Sequence, residues 1–343
     1  MAEVAVSIQD LTKRFGDVMA VDHINLEIKK GEIFGLLGPN GAGKTTTIRL
    51  LCTLLEPTEG TARIAGYDIR KQVAEVRRNI GVVSEGIDLY GDLTAKENLI
   101  LFGKLFGVPK KTLLKRIDEL LDFIGLTDRA NDLVSTFSTG MRKKTLIVSS
   151  LIHSPQILYL DEVTSGLDPQ TAVSVREMTR RLREQGITII WTTHYLDEPD
   201  RICDRVGIIY GGRILALGTP KEVKNIASGS VTIELTLDKH PPQECLDYFN
   251  SLDGVIAVKS EDKELNLTIH NHETSVSRVI ECLSNFGIKI TDLSKKEPSL
   301  EEAFLKLISE ASTKESSNQK RVEDEIERLR NQIIKAMEKI KLE

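Results

Sequence analysis

The chain is poor in cysteine, in aromatic residues and in long apolar runs. Its four cysteines, Cys52, Cys203, Cys245 and Cys282, lie far apart and show no C-x-x-C spacing. That excludes a zinc site of the usual spacing and leaves four small buried residues, kept reduced as in a cytosolic protein. No stretch approaches the ~18 to 20 apolar residues that cross a bilayer. The start, M-A-E-V-A-V-S-I-Q-D, has no basic region followed by an apolar run, so it does not read as a signal peptide. Any role at a membrane is therefore expected to come through a partner. The formal net charge is only -5, which argues against an extended face for nucleic acid.

What is present is an ordinary globular balance, 40% hydrophobic and 28% charged residues over 343 positions. That length suggests more than one domain. Residues 4 to 8 and 18 to 28 alternate as strands, with a turn, L-T-K-R-F-G-D, between them. E-I-F-G-L-L at 32 to 37 is a short apolar run. The segment beyond residue 44 has helical spacing at Ile48, Leu51, Leu54 and Leu55, ending before Pro57 and Gly60. Residues 94 to 125 read as helix, another helix starts at Ser138, and 169 to 185 is a third. Residues 156 to 161 and 187 to 193 read as buried strands, and a hairpin turns at Gly211-Gly212. Strands alternating with helices predict a parallel sheet covered on both faces.

The texture changes near Ala227-Ser228-Gly229-Ser230. Beyond it, strand, helix, strand, strand, helix and strand follow in the β-α-β-β-α-β order of a ferredoxin-like domain. Residues 311–320 are polar and read as a linker. Val322, Ile326, Leu329, Ile333, Ala336 and Ile340 then make a heptad seam. Two readings fit it: a short coiled coil or partner-docking helix, or an amphipathic helix lying on its own domain. The expected domains are thus 1–226, with a helical part at about 86–153, then 230–310, and a terminal helix over 321–343.

Gly38 to Thr46 reads G-P-N-G-A-G-K-T-T and contains G-x-x-x-x-G-K-[ST] between an expected strand and an expected helix. Gly38, Pro39, Asn40, Gly41, Ala42 and Gly43 allow the backbone to wrap an anion with its N–H groups pointing inward, and the helix start adds its positive end. Lys44 supplies a charge to the terminal phosphates of ATP. Thr45 offers a hydroxyl to Mg2+, and Thr46 completes the loop. Asp161 and Glu162 end the strand I-L-Y-L-D-E, at the sheet edge where ligands bind in open α/β folds. Asp161 suits an Mg2+ held through water, and Glu162 suits a general base polarising the attacking water. The simpler alternative is an acidic pair capping the next helix.

On these residues the chain resembles the ATP-binding-cassette ATPases over about residues 4 to 225. F-S-T-G-M-R at 137 to 142 is similar to the family's signature, usually L-S-G-G-Q. S-G-L-D at 165 to 168 matches the loop after the catalytic glutamate, His194 matches the switch histidine, and Phe15 sits where an aromatic underlies adenine. The resemblance implies a P-loop ATPase with a RecA-like core, an antiparallel β subdomain and a helical subdomain. It implies nucleotide contacts from Phe15, Ser138, Thr139, Gly140, Met141 and Asp168, with His194 joining Glu162 in catalysis. It further implies a head-to-tail homodimer or heterodimer around two Mg·ATP, Ser138 gripping the nucleotide of the opposite subunit.

Three features depart from the family pattern. Thr139 and Met141 replace glycine and glutamine, Glu85 stands where a glutamine usually touches Mg2+, and Val163 replaces a proline. A carboxylate at position 85 suits Mg2+ but repels a γ-phosphate at short range. Thr139, Met141 and Glu85 together resemble the type-2 exporter branch, similar to daunorubicin-resistance and sodium-export ATPase subunits. E-P-S-L-E-E-A-F-L at 297 to 305 extends that resemblance to about residue 310. It implies an ATPase at the inner face of the cell membrane, driving export by a separate permease whose helix docks near residues 85 to 110. Lys104, Lys110 and Lys111 there read equally as a solvated helix face. Two alternatives stay open: a non-transport ATPase acting on nucleic acid or ribosomes, and a ligand-sensing role for the C-terminal domain.

Overall fold

The computed structural model describes residues 3–312 except positions 85, 194, 196, 229, 271, 272, 297 and 298. The terminal heptad seam and most of the polar segment before it lie outside the described residues, as do Glu85 and His194. The chain divides into two compact units, Met1–Val223 and Lys224–Glu343.

The first unit contains two sheets. β1 (Val4–Phe15), β2 (Val18–Lys29), β4 (Glu59–Ile64) and β5 (Tyr67–Asp68) form an antiparallel sheet in the order β2-β1-β4-β5. The segment expected as a turn between the first two strands is instead strand as far as Phe15, and Gly16-Asp17 makes the turn. Alternation along β2 buries Val21, Ile24, Leu26 and Ile28. The step from 21 to 24 breaks the two-residue period because His23 has φ 50 and bulges out of the strand.

The second sheet runs β10-β9-β3-β8-β7-β6, formed by β3 (Ile33–Leu37), β6 (Ile80–Val83), β7 (Ile157–Asp161), β8 (Thr188–Thr193), β9 (Arg205–Tyr210) and β10 (Arg213–Gly218). All neighbours are parallel except the β9–β10 hairpin, which turns at Gly211-Gly212. Every residue of β3, β7 and β8 is buried. That is why these strands read as continuous apolar runs. The register aligns their carboxyl ends: Leu37 pairs with Thr193, and Asp161 with Thr192. The segments after Leu37 and Asp161 therefore leave the same edge.

Helices α1 (Lys44–Leu51), α2 (Val73–Asn79), α6 (Pro169–Glu184) and α7 (Asp197–Ile202) accompany these sheets, and α8 (Pro220–Ser228) runs across the division between the units. Between β6 and β7 lie α3 (Ala95–Leu105), α4 (Lys110–Phe123) and α5 (Thr139–Ser149), packed on one another. The single helix expected over 94 to 125 is thus two. Pro109 disfavours a helical residue before it and itself caps α4. A capping box between Thr94 and Glu97 fixes the start of α3.

The second unit contains β11 (Ser230–Leu237), α9 (Gln243–Ser251), β12 (Val255–Glu261), β13 (Glu264–His270), α10 (Glu273–Asn285) and β14 (Ile290–Lys296). Its antiparallel sheet has the order β12-β13-β11-β14, the ferredoxin-like arrangement. Ile233, Leu235 and Leu237 alternate on one face with Leu265, Leu267 and Ile269, and they bury Phe249, Val279 and Leu283 from the helices. A further helix covers 300–312, reaching two residues into the stretch read from the sequence as a linker. All four cysteines are buried and form no disulfide; the thiols of Cys245 and Cys282 lie 3.5 Å apart in a hydrogen bond.

Phe249 is fully buried in this second core, whereas Trp191, the only tryptophan, is fully buried in the first unit. Phe249→Ala should destabilise the second unit by about 3–5 kcal/mol. The expected outcome is an earlier melting phase in circular dichroism with an unchanged Trp191 fluorescence transition; a shift of both together would contradict separable cores.

Candidate functional site

The loop after β3 is shaped from behind. Gly43 caps α1 with φ 106, and a Cβ there would lie 2.5 Å from the Ala20 carbonyl oxygen. A Cβ on Gly38 would come within 2.4 Å of the Ile209 carbonyl oxygen. Both glycines are thus needed because backbone from β2 and β9 presses on the loop. The Gly212 N–H donates to the Ala42 carbonyl at 3.0 Å, and the Asp22 N–H donates to the Gly212 carbonyl at 2.9 Å. The β9–β10 turn so braces the loop against β2.

Lys44 folds back over that loop. Its ammonium donates to the carbonyls of Gly38 (2.7 Å) and Pro39 (3.2 Å) and lies 3.9 Å from Glu162 Oε1. The side chain is 6% exposed. Burial pushes its pKa down by penalising the charged form, and the carboxylates of Glu162 and Asp161 oppose that shift.

A cavity of about 450 Å³ opens over this group. Residues 39 to 46 of the loop line it, with Glu162 and Ser165 across from them and Ser84 and Gly86 from the segment around position 85. Asp161 sits just behind, 4% exposed, and accepts a hydrogen bond from the Thr192 hydroxyl. Glu162 has the left-handed φ of 53; its N–H donates to the Thr192 carbonyl at 3.1 Å, and its own carbonyl accepts from the Ser165 N–H at 3.2 Å. This turn lifts the carboxylate of Glu162 toward the cavity while Asp161 stays in the strand. A glycine loop at a helix start with a buried ammonium receives a polyphosphate anion, and the facing carboxylate is placed to take a proton beside it.

Other residues expected at the site stand apart from this cavity. Phe15 is 49% exposed at the end of β1, with the Lys13 ammonium 5.1 Å from its ring centroid. Ser138 caps α5, its hydroxyl accepting the Met141 N–H at 3.3 Å. Thr139 is exposed, which shows why this position accepts a side chain. Gly140 does not have that freedom, because a Cβ would lie 2.7 Å from Thr171 Cγ2 on α6. Asp168 caps α6 by accepting the Thr171 N–H at 2.9 Å. Hydrogen bonds from Thr171 hold its carboxyl below the usual range. Val163 is fully buried, so apolar bulk is what this position requires. Lys143, on the helix that Ser138 caps, also lines the cavity and was not anticipated. The signature motif ends before it, and only the fold turns it inward. Thr192 was missed too, although a threonine pair closing a buried strand was a visible signal.

Fold and loop together define a P-loop nucleotide-binding protein with an acidic strand end facing the phosphate site. Residues 21–165 match the family described as ABC transporter, and residues 218–308 match the C-terminal domain of DrrA1-3-like ATP-binding proteins. The linearmycin resistance ATP-binding protein LnrL of Bacillus subtilis (strain 168) is 38% identical over 301 residues, covering 87% of this chain and 96% of that protein. The daunorubicin/doxorubicin resistance ATP-binding protein DrrA of Streptomyces peucetius is 36% identical over 326 residues, covering 93% and 98%. A solved ATP-binding subunit of an ABC transporter superposes with a TM-score of 0.59 at 30% identity, covering 65% of this chain and 92% of the other. The chain belongs to the ATP-binding-cassette family, in its transporter branch, and is an ATP-binding ATPase subunit. These relatives do not favour a nucleic-acid or ribosome role.

The bracing of the loop is testable at Gly43. Gly43→Ala combines a disfavoured φ with a backbone clash and should weaken nucleotide binding at least about tenfold. Titration with a fluorescent ATP analogue measures this, and wild-type affinity would show that the loop has slack.

Proposed function

We propose that this chain is the motor subunit of an exporter for a drug-like or antibiotic compound. It binds Mg·ATP at residues 38–46 and hydrolyses it with Glu162 as general base. The observation carrying this reading is the Lys44 ammonium, buried against its own loop and 3.9 Å from Glu162 Oε1, at a cavity with room for a triphosphate.

Thr45 and Asp161 are the groups fitted to hold the metal. Thr45 is exposed and lines the cavity, and Asp161 is fixed by Thr192. Two hard oxygen donors with the remaining places left to phosphate and water suit Mg2+, which spreads the charge of the transferred phosphoryl group. Lys44 then exchanges its carbonyl partners for phosphate oxygens. Glu162 accepts the proton of the attacking water. Position 85 is assigned to the metal and His194 to the γ-phosphate side by their place in the family motifs.

Phe15 is the surface on which adenine stacks. Ser138, Thr139, Gly140 and Met141, with Asp168, lie outside the chain's own phosphate cavity and are assigned to the nucleotide of a second ATPase subunit, bound head to tail. The exposed start of α5 suits this, because free helix-start groups attract an anion. ATP then acts as the adhesive between subunits, and hydrolysis loosens them.

Among the described residues no helix is long and apolar enough to cross a membrane. The work is therefore assigned to a separate permease, with this subunit peripheral on the inner membrane face. An apolar groove of about 310 Å³, lined by Leu54, Ile87, Phe102, Phe106, Leu146 and His153, is where a permease helix would sit. Export is supported by the resistance functions in the names of LnrL and DrrA.

Glu162→Gln should leave the dissociation constant for ATP unchanged and lower steady-state turnover by at least about 10²-fold. Hydrolysis near the wild-type rate would refute the base assignment. Lys44→Ala should act earlier, weakening nucleotide binding itself in the same equilibrium titration; undiminished affinity would remove Lys44 from the phosphate site.

A further inference from the structure

Glu198 belongs to none of the motifs, yet it is a carboxylate only 4% exposed. Its Oε2 accepts hydrogen bonds from the hydroxyls of Thr164 (2.7 Å) and Thr193 (3.2 Å). Its Oε1 accepts from Arg176 Nη1 at 2.9 Å. The Thr193 hydroxyl in turn accepts the Tyr195 N–H at 3.0 Å. One side chain on α7 therefore holds three separate pieces of chain. Thr164 lies two residues after Glu162 and one before the S-G-L-D loop. Thr193 closes β8. Arg176 is on α6, the helix capped by Asp168.

Stability alone is a weak reason for this arrangement. Burying a carboxylate and a guanidinium costs desolvation that their attraction only roughly offsets, and well-packed apolar side chains serve as well. A positional reason is closer at hand. Glu162 occupies left-handed backbone, φ 53, a conformation that persists only where its surroundings fix it. Thr192 holds the entry to that turn through the Glu162 N–H. Thr164, through Glu198, holds its exit.

We propose that Glu198 is a positioning residue for the ATPase reaction. It anchors the turn that presents the Glu162 carboxylate and couples that turn to α6, so that the base and Asp168 keep a fixed relation. The proposal rests on Glu162 being the base. Glu198 itself touches no reactant.

The test uses the full-length protein and four variants: E198A, E198Q, T164V and the E198A/T164V pair. A displaced base slows chemistry without loosening the nucleotide. E198A should thus lower kcat by roughly 10- to 100-fold, with KM and the dissociation constant for ATP unchanged. T164V, nearly isosteric, should lower kcat in the same way. The double variant should be no slower than E198A, because both substitutions cut one connection. E198Q should retain most of kcat, since its amide oxygen can accept from Arg176 while its NH2 group donates to the two hydroxyls. If E198A does not fold, T164V and E198Q still decide the matter. Wild-type kcat in T164V overturns the proposal, and so do losses that multiply in the double variant. A fall in melting temperature with kcat per folded molecule intact also overturns it, as a purely structural link would behave so. An active E162Q would instead remove the base assignment beneath it. An inert E162Q beside a fully active T164V rejects this proposal alone.

Discussion

A lysine ammonium taken out of water must find compensation close by, and the way Lys44 finds it organises the first unit. Its charge is met by two carbonyls of its own loop and by Glu162, at the end of a different strand. Those partners converge only because β3 and β7 flank β8 and end at one edge. The phosphate loop, the acidic strand end and the threonine pair of β8 are therefore one construction. Under the proposed function, a triphosphate would compete for the same ammonium and replace one set of partners by another.

The helices between β6 and β7 add a second level. α5 presents its capped start, Ser138, to the outside, while Lys143 of the same helix faces the chain's own phosphate cavity. Under the proposed head-to-tail arrangement, this one helix would meet two nucleotides, the nearer through Lys143 and the farther through its amino end. Arg142, between them, pairs with Asp88 in the segment that follows position 85.

Much of this was legible in the residues. The glycine loop, the acidic pair and the buried strands announce themselves because each needs a rare composition or a continuous apolar run. The β-α-β-β-α-β order of the second unit was legible for a different reason, the clean alternation of β11 and β13. What escaped was short or paired from afar. β5 has two residues, and β6 reads I-G-V-V, too brief for any period to show. The strand over Leu11–Phe15 reads as a turn from the sequence because its pairing with β2 and β4 is interrupted by bulges that break the two-residue period. Glu198 and Thr192 escaped because a buried polar residue is recognised by its partners, and those are distant in sequence. The break at Pro109 was overlooked because helix formers run on both sides of it.

The grip of Gly212 on Ala42 has a bearing on how the protein is made. The loop that holds phosphate is encoded near the amino end, yet the turn that sets its shape lies about 170 residues later. While the ribosome is still adding that stretch, the glycine segment exists without its brace. The cradle therefore takes its braced form only once residue 212 has joined the chain.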